Sequence, residues 1–224
     1  MEKKRQNSSS ESVEETKFQQ TGVTNRTRGF STRDLLYISI LGVVGGIVVS
    51  VLPLDALIKI WYPFEGGIAL VSGQQVIWFA LVFGFSKKFG AATASSFIKG
   101  VVEFIFANNL GAFVIAIDLL EGFIVDLILT IAMKYHQEDT KLAWALACGL
   151  SCLLQMPVVW LLNGKLLILP LLISLTAFDF AFISGILFGL LGKLVRDNVI
   201  RAGVPVPFSI PAEIAPETMS QEVS

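Results

Sequence analysis

Residues 89–107 read FGAATASSFIKGVVEFIFA, and residues 110–133 read LGAFVIAIDLLEGFIVDLILTIAM. Apolar runs of this length belong to membrane helices. Yet the pair carries Lys99, Glu103, Asp118, Glu121 and Asp126. A charge inside a bilayer is costly, so it faces the bundle interior and marks a pathway or a site. At about 100° per residue, Ala92, Ser95, Ser96, Lys99, Gly100 and Glu103 fall within about 140° of helix arc. Phe97, Val101, Phe104 and Ile105 occupy the other side. The small, polar face admits another helix or a ligand, and the bulky face suits lipid or core packing.

The second stretch repeats the asymmetry, with Gly111, Asp118, Glu121, Gly122 and Asp126 on one stripe. Lys99 and Glu103 are four residues apart and can pair, either as a structural ion pair or with Glu103 also on a ligand. Three carboxylates in a row repel unless protonated, paired or balanced by a cation. Lys99 can neutralise only one. Asp126 has the alternative of hydrogen bonding to backbone. A sixth intramembrane charge, Asp179, stands near Thr176 and suits a structural hydrogen bond as well as a ligand contact. The interior therefore leans acidic, and the expected guest bears an amine or a cationic ring.

Working outward, the whole chain is 54% hydrophobic and 16% charged over 224 residues, against about a quarter charged in soluble domains. Apolar spans are expected at about 35–53, 67–86, 89–107, 110–133, 142–162 and 166–195. The expected fold is an all-α integral membrane protein, a six-transmembrane-helix bundle with disordered cytoplasmic tails. Residues 1–30 form the N-terminal tail, 31–201 the membrane domain and 202–224 the C-terminal tail. No apolar run follows Met1, so a signal peptide is not expected.

Basic residues orient the bundle. Arg28, Arg33, Lys87, Lys88, Lys134, Lys141, Lys193, Arg196 and Arg201 gather on the side of both termini, against Lys59 and Lys165 on the other. Both termini are expected in the cytoplasm, with the 53–66 loop outside. That loop carries Trp61, Tyr62, Phe64 and Glu65. Its rings are either belt residues at the bilayer surface or a lid that stacks on a flat ligand. In span two, Gln74, Gln75 and Trp78 offer amide hydrogen bonds and a further stacking face.

Several chemistries are missing. There is no G-x-x-x-x-G-K-[ST], so the chain cannot hydrolyse ATP through a P-loop. His136 is the only histidine and lies in a loop, which argues against an intramembrane zinc site and against Ser-His catalysis. Cys148 and Cys152 read as small buried thiols. No catalytic residue, metal, cofactor or nucleic-acid partner is expected. In span one, Gly42, Gly46 and Ser50 form a small-xxx-small stripe for close helix contact.

The order Gly90-Ala91-Ala92, Ser95, Val102-Glu103, Asn108, Gly111, Ile117 and Gly122 resembles the substrate-binding S components of energy-coupling factor (ECF) vitamin transporters, in the group linked to hydroxymethylpyrimidine or thiamine. The likeness covers roughly residues 72–125. It implies a six-helix subunit without catalysis of its own, binding a vitamin or precursor on the outer side. Its partners would be a transmembrane coupling subunit, docked through the Gly42, Gly46 and Ser50 stripe, and two ATPase subunits. Glu103 falls on the matched Val-Glu pair and becomes the leading ligand contact, with Asn108 also matched. Lys99, Asp118 and Glu121 match no pattern of the family. The family's stripe is usually built on alanines, where this chain has glycines.

The expected substrate contacts are thus Trp61, Tyr62, Phe64, Glu65, Gln75, Trp78, Lys99, Glu103, Asn108, Asp118 and Glu121. The expected function is the substrate-specific subunit of an ATP-driven importer for thiamine or its hydroxymethylpyrimidine precursor. Two other readings stand beside it: a proton- or cation-coupled secondary transporter using the Asp118, Glu121, Asp126 row as a relay, and a non-transport scaffold with structural charges.

Overall fold

A computed structural model describes residues 29–51, 69, 72–106, 111–162 and 171–203. The chain divides into two units, Met1–Ser31 and Thr32–Ser224. The expected tails lie outside the described residues except at their inner ends, and the 53–66 loop lies outside them entirely. Among the described residues there are six helices and no strand: α1 (Thr32–Val51), α2 (Ser72–Ser86), α3 (Ala91–Ile105), α4 (Phe113–Lys134), α5 (Lys141–Leu162) and α6 (Leu171–Arg201).

Helix α2 is apolar on every side, as suits the centre of a bundle. All of its residues except Gln75 and Trp78 are buried. It packs against each of the other five helices, which form an arc around it. Along that arc α1 rests on α3, α3 on α4, α4 on α5 and α5 on α6. The main apolar core joins Val76, Phe79 and Phe83 of α2 to Val125 and Leu129 of α4 and to Trp144 and Cys148 of α5.

The six-span expectation meets a narrower result. Three helices are long and apolar enough to cross a membrane by themselves: Thr32–Val51, Lys141–Leu162 and Leu175–Arg201. The others fall short for identifiable reasons. Helices α2 and α3 have 15 residues each, about 22 Å of helix against a hydrocarbon core of about 30 Å. Helix α4 has the length but carries Asp118, Glu121 and Asp126 in its interior.

Local chemistry sets the helix ends. The turn into α3 passes through Gly90 at φ 91, a left-handed conformation in which only glycine is at ease. Gly90 has no side chain with which to cap the helix it opens. Asp126 of α4 supplies the cap: its carboxylate accepts from the backbone N–H of Ala92 at 3.1 Å and of Thr93 at 2.7 Å, and from Thr93 Oγ1 at 2.6 Å. This satisfies donors that every helix start leaves open. At α5, Thr140 Oγ1 accepts from Ala143 N–H at 3.2 Å.

The end of the bundle that carries the basic loops is held by ion pairs. Lys88 donates to Asp34 of α1 at 2.8 Å, where the aspartate is fully buried. Asp139, in the α4–α5 connection, lies between Lys87 at 2.8 Å and Arg196 of α6 at 2.7 Å. Arg196 also donates from Nε to the Gly84 carbonyl at 3.0 Å. Partial burial works to raise the Asp139 pKa, but the Lys87 hydrogen bond and the charges of Arg196, Lys87 and Lys193 outweigh it and hold the carboxyl below its usual range.

Candidate functional site

Helices α3 and α4 meet at small residues. A Cβ on Gly100 would lie 2.8 Å from the Ile115 Cα and 3.2 Å from the Asp118 carboxylate. A Cβ on Gly122 would strike the Ser96 side chain and lie 2.8 Å from the Ala92 carbonyl. This closeness brings the polar faces of the two helices together. All six residues of the expected α3 face are buried, and Phe97, Phe104 and Ile105 are exposed on the opposite side.

Lys99 is the hub. Its ammonium donates to both Asp118 oxygens, at 3.0 and 3.1 Å, and to Gln75 Oε1 of α2 at 2.6 Å. It also pairs with Glu103, one turn further along α3. The Phe79 ring lies 5.4 Å from the same nitrogen, within range of a cation–π attraction. Lys99, Glu103, Asp118 and Glu121 are all buried, at 0, 1, 2 and 0% exposure. Glu121 lies in the electrostatic field of Asp118, Lys99 and Glu103. Neither of its carboxylate oxygens has a hydrogen-bond partner among the described residues. On the α5 side, Ser151 Oγ donates to the Glu121 carbonyl at 3.1 Å, tying α5 to α4 at this level.

The structure therefore brings Gln75, Lys99, Glu103, Asp118 and Glu121 into one cluster between α2, α3 and α4. Trp78 stands one turn from Gln75 but packs towards α1, where a Cβ on Gly45 would lie 2.7 Å from its ring. Trp61, Tyr62, Phe64, Glu65 and Asn108 lie outside the described residues. Asp126 is occupied as the α3 cap. Asp179 is exposed on the outer surface of α6, so it is no part of this cluster.

The α1 stripe lies against α3 at its two glycines. A Cβ on Gly42 would lie 2.9 Å from the Ser95 carbonyl, and one on Gly46 would lie 2.7 Å from Val102 and 3.0 Å from the Lys99 carbonyl. Both glycines are buried, and Ser50 is half-buried. The stripe does permit close helix contact, but the helix it admits is α3 of the same chain. A one-dimensional pattern marks a close-packing face without saying whose helix fills it. Three features carried no sequence signal that was read: the Asp126 cap, the Phe79 ring over Lys99, and the buried Asp34–Lys88 pair. The glycine at 90, unable to cap its own helix, is the one clue to the first.

Such a cluster can fix a polar or cationic guest in a dry interior, and the helices around it make the chain a membrane-embedded component. A family model described as the permease component of an ABC-type cobalt transport system matches residues 33–154, more than half of the chain. The chain belongs to that family, and it is a transport component, not an enzyme. A crystal structure of an S-component of an ECF transporter superposes with a TM-score of 0.68 at 23% sequence identity, covering 79% of this chain and 88% of that one. At that identity the likeness is one of fold. No curated protein matches the chain.

Proposed function

We propose that this chain is the substrate-binding S component of an ATP-driven ECF-type importer, and that it takes thiamine or its hydroxymethylpyrimidine precursor. The observation that carries the reading is the buried Gln75–Lys99–Glu103–Asp118–Glu121 cluster at the heart of an S-component fold. A thiazolium is a permanent cation that an acidic interior favours, and an aminopyrimidine offers donors to carboxylates. Trp61, Tyr62 and Phe64 would supply stacking faces for the flat rings. The basic end of the bundle faces the cytoplasm in this reading. A transmembrane coupling subunit and two ATPases supply the energy. The coupling subunit meets α1 away from Gly42 and Gly46, since α3 covers them.

The family's descriptive name includes cobalt, which makes a divalent cation the second ligand to try. The Lys99 ammonium at the centre of the acids speaks for an organic guest over a metal ion. A secondary transporter remains the alternative mechanism. Against it stands Asp126, which is spent on the α3 cap and leaves the proposed proton row broken after Glu121.

Calorimetry on the isolated chain with thiamine and with Co²⁺ separates the ligands, and one-to-one binding of thiamine is the expected result. In reconstituted vesicles, uptake should require the coupling subunit, the ATPases and ATP. Concentrative uptake driven by a pH gradient across vesicles holding this chain alone would reject the importer reading.

A further inference from the structure

Glu121 is fully buried in the middle of α4, and among the described residues neither carboxylate oxygen accepts a hydrogen bond. Lys99 has three donors, and they are directed at Gln75, Asp118 and Glu103. One ammonium therefore faces three carboxylates. Were all three ionised, the cluster would hold two net negative charges away from water, which is a severe electrostatic cost. Among the described residues no other group around Glu121 offsets it. The groups that face it are Asp118 on its own helix, Lys99 and Glu103 on α3, and the thiols of Cys148 and Cys152 on α5. Helix α2, also packed on α4, has no titratable residue.

The described residues thus leave the cluster short of counter-charge. A proton is the smallest candidate, and a cationic ligand is the other. Glu121 is the carboxyl to receive either one, because Glu103 and Asp118 are already paired with Lys99. We propose that Glu121 holds a proton while the site is empty and surrenders it to solvent when a cationic ligand enters, so that proton and ligand charge exclude one another. The O–H bond of the carboxyl breaks, the proton passes to water, and the ligand's positive charge becomes the new counter-charge. No bond of the ligand changes. The exchange rests on the reading of this cluster as a seat for a cationic ring.

The test uses the full chain in detergent, with thiamine as the probe because its thiazolium charge does not vary with pH. Without ligand, the infrared spectrum of the wild type minus that of Glu121→Gln should leave one carbonyl band of a protonated carboxylic acid. Saturating thiamine should abolish that band in the wild type. Calorimetry in buffers of different ionisation enthalpy should then count about one proton released per thiamine bound, and none with Glu121→Gln. Absence of the ligand-free difference band overturns the assignment of the proton to Glu121, whatever the substrate is. Persistence of the band with thiamine bound, or binding without proton release, overturns the exchange. If thiamine does not bind, the proposed substrate fails, while the ligand-free band still decides the protonation of Glu121. Should Glu121→Gln not fold, loss of the wild-type band on thiamine addition and the proton count decide the matter.

Discussion

Asp118 accepts from the Lys99 ammonium with both of its carboxylate oxygens, at 3.0 and 3.1 Å, across the interface between α3 and α4. The glycine next to Lys99 makes this possible. At Gly100 a side chain would collide with the α4 backbone at Ile115, so the two helices could not close to bonding distance. The pair is buried, and its worth lies in being complete. Removing one member of a buried ion pair leaves the other charge without compensation.

Lys99→Met should therefore destabilise the bundle by about 3–5 kcal/mol, since Asp118 and Glu103 lose their shared partner. Thermal unfolding in detergent reads this directly. The double change Lys99→Met with Asp118→Leu should recover part of the loss. An unchanged midpoint for the single variant would show that the hub carries no structural load.

Glu103→Gln keeps the shape of the side chain and removes its charge. Under the proposed function it should weaken thiamine binding by roughly ten- to a hundred-fold, the scale of a charge-assisted hydrogen bond. Calorimetry checks it. Equal affinity in variant and wild type would remove Glu103 from the ligand contacts.

Asp126→Ala should behave in the opposite way. The carboxylate caps α3, so its loss should cost about 0.5–2 kcal/mol and leave thiamine affinity within a factor of about two. Hydrogen exchange should quicken at the Ala92 and Thr93 amides. A large fall in affinity with those amides still protected would place Asp126 in the ligand site instead.

Gly46→Leu tests the α1 contact. The new side chain would press on Val102 and on the backbone at Lys99. Overpacking of this kind costs about 1–3 kcal/mol, and displacement at Lys99 should lower thiamine affinity along with stability. If binding stays intact and only uptake falls, the stripe serves a partner subunit.

The Asp139 clamp predicts a pH dependence. A carboxyl held below its ordinary range stabilises the folded chain above the unfolded pKa, and that contribution is lost as pH falls through the folded pKa. Asp139 is half-exposed, so solvent screening keeps the effect small. Asp139→Asn should lower the thermal midpoint slightly at about pH 7, and the gap between the two chains should narrow as pH falls below about 4. A gap that does not narrow with falling pH would assign the effect to packing.

Much of the bundle was legible in the residue order. The polar face of 89–107 and the acidic stripe of 110–133 follow from helical period alone, and both turn inward as read. Gln75 and Trp78 were legible as polar and aromatic features of span two, but not as diverging, one onto Lys99 and the other towards α1. Asp179 looked like its fellow intramembrane acids and proves to lie on the outer surface. Helices α2 and α3 are shorter than the apolar runs that contain them, and α4 has the length of a span but carries three acids.

The amino-acid order by itself determined where the apolar helices run and which side of each is polar. A bilayer excludes polar groups residue by residue, so the constraint is written locally and can be read locally. The folded bundle alone decided that Lys99 joins Asp118 to Glu103, that Asp126 closes the start of α3, and that α3 fills the glycine stripe of α1. Periodicity gives a side chain its angle about its own helix axis. Which neighbour waits at that angle depends on how separate helices pack, and on how closely their smallest residues let them approach.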